Sequence, residues 1–242
     1  IINKCKYYIL AKLVSISLKY EDYKEKYFDE SKLVFKDLDG FLNSLKTDKS
    51  HITLKLRQIV NYLKFDHILF DVDKTSSEID AHKLAVKIHK LSEGNVLPYL
   101  PPPIFNVDLK LESKNDKSEK PVLFKSLSSG EKQFIYFINS IYYHLINIES
   151  VYQSKTDRVK YKYVSVVLEE IELYFHPNYQ RKLINSLLEG LGKIKFKGIK
   201  GFHFIFVTHS PFILSDINSS DILKLNKDGS ENESLMKTFG AN

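Results

Sequence analysis

Cysteine, methionine and arginine are nearly absent from these 242 residues, and each scarcity excludes something. The lone Cys5 rules out a disulfide framework and any multi-cysteine zinc site. Long apolar runs are missing too. "YYILAKLVSISL" is the nearest, and it is short and broken by Lys12. No signal-peptide pattern is present, so a cytoplasmic protein without membrane contact is expected. Arginine occurs only at 57, 158 and 181, although the net charge is +6. Arginine is the side chain best suited to bidentate phosphate and guanine contacts. The evenly scattered lysines therefore read as a solvated surface, and a salt-sensitive nucleic-acid module is the weakest reading. None of the nine glycines opens a GxxxxGK[ST] loop. Gly130 precedes Glu131, and the Gly192-Lys193 pair continues with Ile194. Backbone amides that wrap phosphates, and a lysine that reaches them, are thus missing. The chain starts at Ile1 and its one methionine is Met236, so a piece of a longer polypeptide is expected.

What is present divides into two textures. Residues 1–103 read as a helical subdomain or insertion. "KYYILAKLVSISLKY" and "ITLKLRQIVNYLKF" carry apolar residues at three- and four-residue steps. "SSEIDAHKLAVKIHKL" opens with a Ser77/Asp80 cap pattern and lines up Ile79, Leu84, Ile88 and Leu91. The more polar "EDYKEKYFDESKLVFKDLDGFLNSL" suits helix pairs or a surface arm. The prolines of "LPYLPPPIF" then stop helix formation.

Residues 104–242 read as α/β. "FNVDLKLE" alternates like a half-buried strand, and "SKNDKSEKP" is a charged loop. "YVSVVLEE" and "FHFIFVTHS" are β-branched or aromatic runs expected to be buried on both faces, as in a parallel sheet. "NYQRKLINSLLEGLGKI" between them is an amphipathic helix, and "DILKLN" is expected as a last strand.

Three segments carry chemistry. The first strand ends in Glu169 and Glu170, where α/β proteins place ligands. Adjacent strand residues point to opposite sides, so one carboxylate suits a hydrated Mg²⁺ and the other an attacking water. The second strand ends in Thr208, His209 and Ser210, and a histidine there can reach a phosphate. "SLSSGEKQF" places Ser128, Ser129 and Gly130 at a helix start before "IYFINSIYYHLI". That stretch is either an ordinary cap or an anion site.

Their order resembles the ATP-binding-cassette ATPases, in particular the SMC/RecF/OLD-like branch often called AAA_21-type. "LSSGEKQ" looks like the signature motif, "VVLEEIELYFHP" like Walker B with the D-loop region, and "VTHSP" like the switch, over roughly residues 104–226. The resemblance implies a mostly parallel sheet of a P-loop NTPase head, incomplete at its amino terminus, and the cofactors ATP and Mg²⁺. It implies that two heads sandwich nucleotide, so that Ser128, Ser129, Gly130 and Glu131 of one head meet the ATP phosphate held by the other, with Lys132 beside them. Glu169 then falls at the Mg²⁺-associated carboxylate, Glu170 at the water-polarising glutamate, and His209 at the switch histidine.

The sequence departs from that family at Glu169, usually Asp, at Ile171, commonly Pro, and in lacking the P-loop. The chain alone is therefore expected to be a poor ATPase. Gln58 is the one glutamine available as a Q-loop candidate, inside a helical pattern. Similarity to Septu- and retron-type defence ATPases implies a nuclease partner and work in DNA processing or antiphage defence. DNA is a further partner that the resemblance allows. The alternative is a degenerate, non-hydrolysing head that acts as a scaffold partner of an intact ATPase.

Overall fold

The structure, a computed structural model, describes residues 1–69, 78–91, 96–113, 120–154, 158–173 and 175–224. The chain splits into two compact units, one formed by Ile1–Val107 with Ser150–Val159, the other by Asp108–Glu149 with Lys160–Asn242.

The first unit is helical: α1 (Ile2–Lys19), α2 (Glu21–Tyr27), α3 (Leu38–Thr47), α4 (Leu54–Leu69) and α5 (Ala81–Leu91). A minimal antiparallel pair, β1 (Phe28–Asp29) with β2 (Val34–Phe35), separates α2 from α3. Short carboxylates start two of the helices. Asp37 accepts the Gly40 amide at 2.8 Å, and Asp80 accepts the Lys83 amide at 2.8 Å. Asp80 thus caps α5, while Ser77 lies outside the described residues. Leu84 and Ile88 are the buried stripe of that helix, whereas Ile79 is exposed. The main core joins Ile16, Tyr23, Tyr27, Phe41, Leu45, Ile52 and Leu56, with Tyr23 edge-on to Phe41. After α5, Leu97–Tyr99 forms a 3-10 turn at the head of the proline cluster.

One buried charge organises this unit. Asp48, 1% exposed, accepts the Tyr23 hydroxyl at 2.5 Å, the Ser50 amide at 2.7 Å and the Ser154 hydroxyl at 2.8 Å. Arg158 pairs with it at 3.1 Å, reaches Asp22 at 2.7 Å and lies over the Tyr23 ring. A buried carboxylate needs such partners, because an isolated charge there is costly.

The second unit carries an antiparallel pair, β3 (Lys110–Leu111) with β4 (Val122–Leu123), the long helix α6 (Ser129–Ser150), and then β5 (Tyr163–Glu169), α7 (Pro177–Gly192) and β6 (Gly201–Val207). β5 and β6 pair in parallel, from Tyr163 opposite Gly201 to Glu169 opposite Val207. Val164, Val166, Phe202, Phe204 and Phe206 pack on Ile141, Leu145, Leu187 and Leu191 of the two helices. His176 caps α7 by accepting the Asn178 amide, and Pro177 takes the first helical position, where no N–H is needed.

Two expectations need correction. The strands are not buried on both faces: Tyr163, Val167, Ile205 and Val207 are exposed, since among the described residues this pair packs on helices from one side. The expected α/β layering is met by the parallel β5–β6 pair, and among the described residues each of the three sheets has two strands. The segment expected as a last strand, residues 221–226, instead opens on the last residue of a 3-10 turn (Ser219–Asp221) and has no regular structure at 222–224; positions 225 and 226 lie outside the described residues.

Glu149, near the end of α6, is buried and accepts the amides of Lys197, Gly198 and Ile199 at 2.7, 2.9 and 3.0 Å. This fixes the segment that feeds β6.

Candidate functional site

The parallel register brings the ends of β5 and β6 together. Glu169 is the last residue of β5 and is exposed, and its carboxylate makes no hydrogen bond or ion pair among the described residues. Glu170 follows with φ 45°, in the left-handed region that a non-glycine residue adopts only at a cost. Its amide still donates to Val207 O at 2.9 Å, so the turn starts from a properly paired strand end. The reversal aims the carboxylate toward the other strand end, where Glu170 Oε1 lies 3.5 Å from His209 Nε2. That separation is just outside direct hydrogen-bond range, and a small movement or a shared ligand closes it. The His209 side chain is 89% exposed and Glu170 45%, so both can meet a ligand.

Beneath this pair sits a residue that sequence reading did not single out. Glu172 is 6% exposed. One of its oxygens, Oε1, accepts both the Thr208 hydroxyl and the His209 amide, the latter at 3.1 Å. The other oxygen is buried without a hydrogen-bond partner among the described residues. Gln180 of α7 donates to the carbonyls of Glu172 and Phe175 at 3.2 and 2.8 Å, and accepts the Ser210 hydroxyl at 2.5 Å. Ser210 in turn donates its amide to the Thr208 hydroxyl at 3.0 Å. The turn after β5, the turn after β6 and the start of α7 are thereby one polar network. The available sequence signal was an acid in "IELYF", flanked by apolar residues, where an exposed charge is out of place.

The start of α6 is a capping box. Ser128 donates its amide and hydroxyl to Glu131 Oε2 at 2.8 and 2.7 Å, and the Glu131 amide donates back to Ser128 Oγ at 3.2 Å. The Ser128 donors hold the Glu131 carboxyl below its ordinary range. The amides of Ser129 and Gly130 have no acceptor among the described residues, and a methyl group at Gly130 would meet open space. These two amides, at the positive end of a long helix, are what this segment can offer an anion.

Gln58 donates to Leu97 O at 3.0 Å within the first unit, which fastens α4 to the 3-10 turn. All three arginines are likewise engaged internally: Arg57 with the carbonyls of Lys49 and Ser50, Arg158 with Asp22 and Asp48, and Arg181 over the Phe212 ring. Among the described residues no group of three His, Cys, Asp or Glu side chains is placed to hold a metal, and no helix is long and apolar enough to cross a membrane.

Comparison with known proteins decides the family. The model of the AAA ATPase domain matches residues 1–214. The chain belongs to the AAA ATPase domain family. The match takes in the whole first unit and the second as far as residue 214, so the helical unit falls within the matched AAA ATPase domain. A curated relative is the Retron Vc95 probable ATPase of Vibrio cholerae serotype O1 biovar El Tor, 26% identical over 111 residues. That alignment takes in 46% of this chain and 19% of the relative, so the matched region spans about a fifth of the relative's length.

The family uses ATP and Mg²⁺, and the residues present fit one side of such a site. Mg²⁺ takes one or two carboxylates and completes its shell with phosphate and water oxygens, so an exposed strand-end Glu169 suits it without a three-residue cage. For phosphate, the chain offers the Ser129 and Gly130 amides, and its sequence contains no GxxxxGK[ST] stretch.

Proposed function

We propose that this AAA ATPase domain binds and hydrolyses ATP as one of two paired ABC-type heads, of the SMC/RecF/OLD-like kind, closed around nucleotide. The observation that carries the reading is the Glu170–His209 pair, 3.5 Å apart at adjacent parallel strand ends, with Glu170 at φ 45°. Left-handed non-glycine residues cluster at functional sites, and this one carries a solvent-facing carboxylate. Glu169 would hold Mg²⁺, which when bound neutralises phosphate charge. Glu170 orients and deprotonates the attacking water, and His209 donates to a terminal phosphate oxygen. Ser129 and Gly130, with Ser128 and Glu131 forming the cap beside them, meet the phosphate carried by the paired head. Similarity to a retron probable ATPase supports a role in defence, and the motif resemblance alone supports DNA processing and a nuclease partner.

The test is phosphate release from Mg-ATP by the complex purified through a tag on this chain. Glu170→Gln should lower turnover by about 100-fold or more while nucleotide-dependent pairing persists. Unchanged turnover would remove Glu170 from the mechanism.

A second reading, a non-hydrolysing scaffold head, draws on Glu169 standing where the resembled family has Asp. In that case Glu170→Gln is silent, and Ser129→Arg still blocks assembly.

A further inference from the structure

We infer that Glu172 is a positioning residue for His209, and that its buried carboxylate holds the imidazole within reach of Glu170. The inference rests on the reading that Glu170 and His209 face nucleotide, but its physical content is testable without nucleotide.

Burial comes first. Glu172 stands two residues beyond Glu170 and is 6% exposed, whereas His209 projects into solvent at 89% exposure. An exposed imidazole at the end of a strand has no packing to fix its direction. Its backbone has to be fixed instead. Glu172 Oε1 does this at two adjacent points, taking the Thr208 hydroxyl and the His209 amide on one atom. Hydrogen bonds to a charged acceptor are roughly twice as strong as neutral ones. A carboxylate would not be kept in this turn, between Ile171 and Phe175 of one apolar core, without such donors.

The same residue, through its backbone carbonyl, also fixes the turn on which Glu170 sits. Phe175 donates its amide to Glu172 O at 2.9 Å, and Gln180 clasps that carbonyl from α7. Glu172 therefore carries the 170 turn through its backbone and the 208–209 segment through its side chain. Its removal should leave both strands intact while uncoupling their ends. A residue needed only for stability would lower the melting temperature without changing the communication between Glu170 and His209.

The experiment is a spectroscopic double-mutant cycle on the full chain, read from the ¹⁵Nε2 and ¹³Cε1 resonances of His209. In the wild type, Glu170→Gln should shift these resonances, since the two groups are 3.5 Å apart. In a Glu172→Ala background that response should fall by about twofold or more, the signature of lost coupling. In Glu172→Gln, whose amide oxygen can still accept from Thr208 and His209, the response should return. If Glu172→Ala fails to fold, Thr208→Val removes one of the two donors and should weaken the response in the same direction. A response of equal size in every background, or no response in the wild type, overturns the inference. The ATPase reading fails separately: if Glu172 variants change the coupling but Glu170→Gln leaves turnover of the complex unchanged, positioning stands and the nucleotide role does not.

Discussion

Glu170 and His209 close the ends of two neighbouring parallel strands, Oε1 and Nε2 3.5 Å apart, and Glu170 reaches that place through a left-handed backbone. A left-handed φ costs an ordinary residue about 1–2 kcal/mol, and glycine removes most of that cost while adding unfolded-chain entropy. Glu170→Gly should therefore leave stability unchanged or raise it by up to about 1 kcal/mol, even as it removes the carboxylate. Chemical denaturation checks this, and a large loss of stability would mean that the turn does not hold strain.

Asp48 makes the stability of the first unit acid-sensitive. Burial pushes its carboxyl up, but the hydroxyl of Tyr23 and donors from Ser50 and Ser154 outweigh that and hold it at about 2. Burial also raises the Tyr23 phenol, with the Asp48 charge adding to it. A carboxyl depressed in the folded state stabilises above its unfolded value and loses that contribution as pH falls toward the folded one. The contribution, about 2 kcal/mol, should vanish between about pH 4 and pH 2. Denaturation free energies of wild type and Asp48→Asn across that window should converge, with the variant lower by about 2 kcal/mol at neutral pH, where Arg158 loses its buried charged partner. Parallel curves would contradict it.

Glu149 gathers three consecutive amides on one carboxylate. Glu149→Ala leaves buried donors unsatisfied and should cost about 1–3 kcal/mol or more. Hydrogen exchange at 197–199 should accelerate more than exchange within β6. Uniform acceleration throughout the unit would show that the cradle has no local role.

Gly190 is required by a neighbour and not by its backbone angle. Tyr142 donates its hydroxyl to the carbonyls of Ser186 and Leu187 at 2.9 and 3.0 Å, which lays the ring against position 190. A Cβ there would overlap the Tyr142 ring and hydroxyl. Gly190→Ala should cost about 1–3 kcal/mol through overpacking, and most of that cost should disappear in a Tyr142→Ala background. Additive costs would refute the contact.

Local patterns made much of this legible. The strands at 163–169 and 201–207, the helix between them and the helix starting at Ser129 follow from β-branched runs, helical spacing and a serine cap. The strand-end acids and His209 were readable because their positions follow from strand termini. Glu172 was not, since its burial arises from a turn set by Glu170 and from donors 36 and 37 positions away. The Asp48–Arg158 knot joins residues 110 apart, and no local pattern announces it. One-sided burial of the β5–β6 pair was also hidden, because an apolar strand reads alike whether helices cover one face or two.

The most direct measurement is analytical ultracentrifugation of the tagged complex with ATP, with ADP and without nucleotide, for wild type and Ser129→Arg. Paired heads closed around nucleotide should give a larger species with ATP alone, lost in Ser129→Arg, where the long cation fills the start of α6. A sedimentation profile that ignores ATP, or one that Ser129→Arg leaves unchanged, would contradict nucleotide-gated pairing.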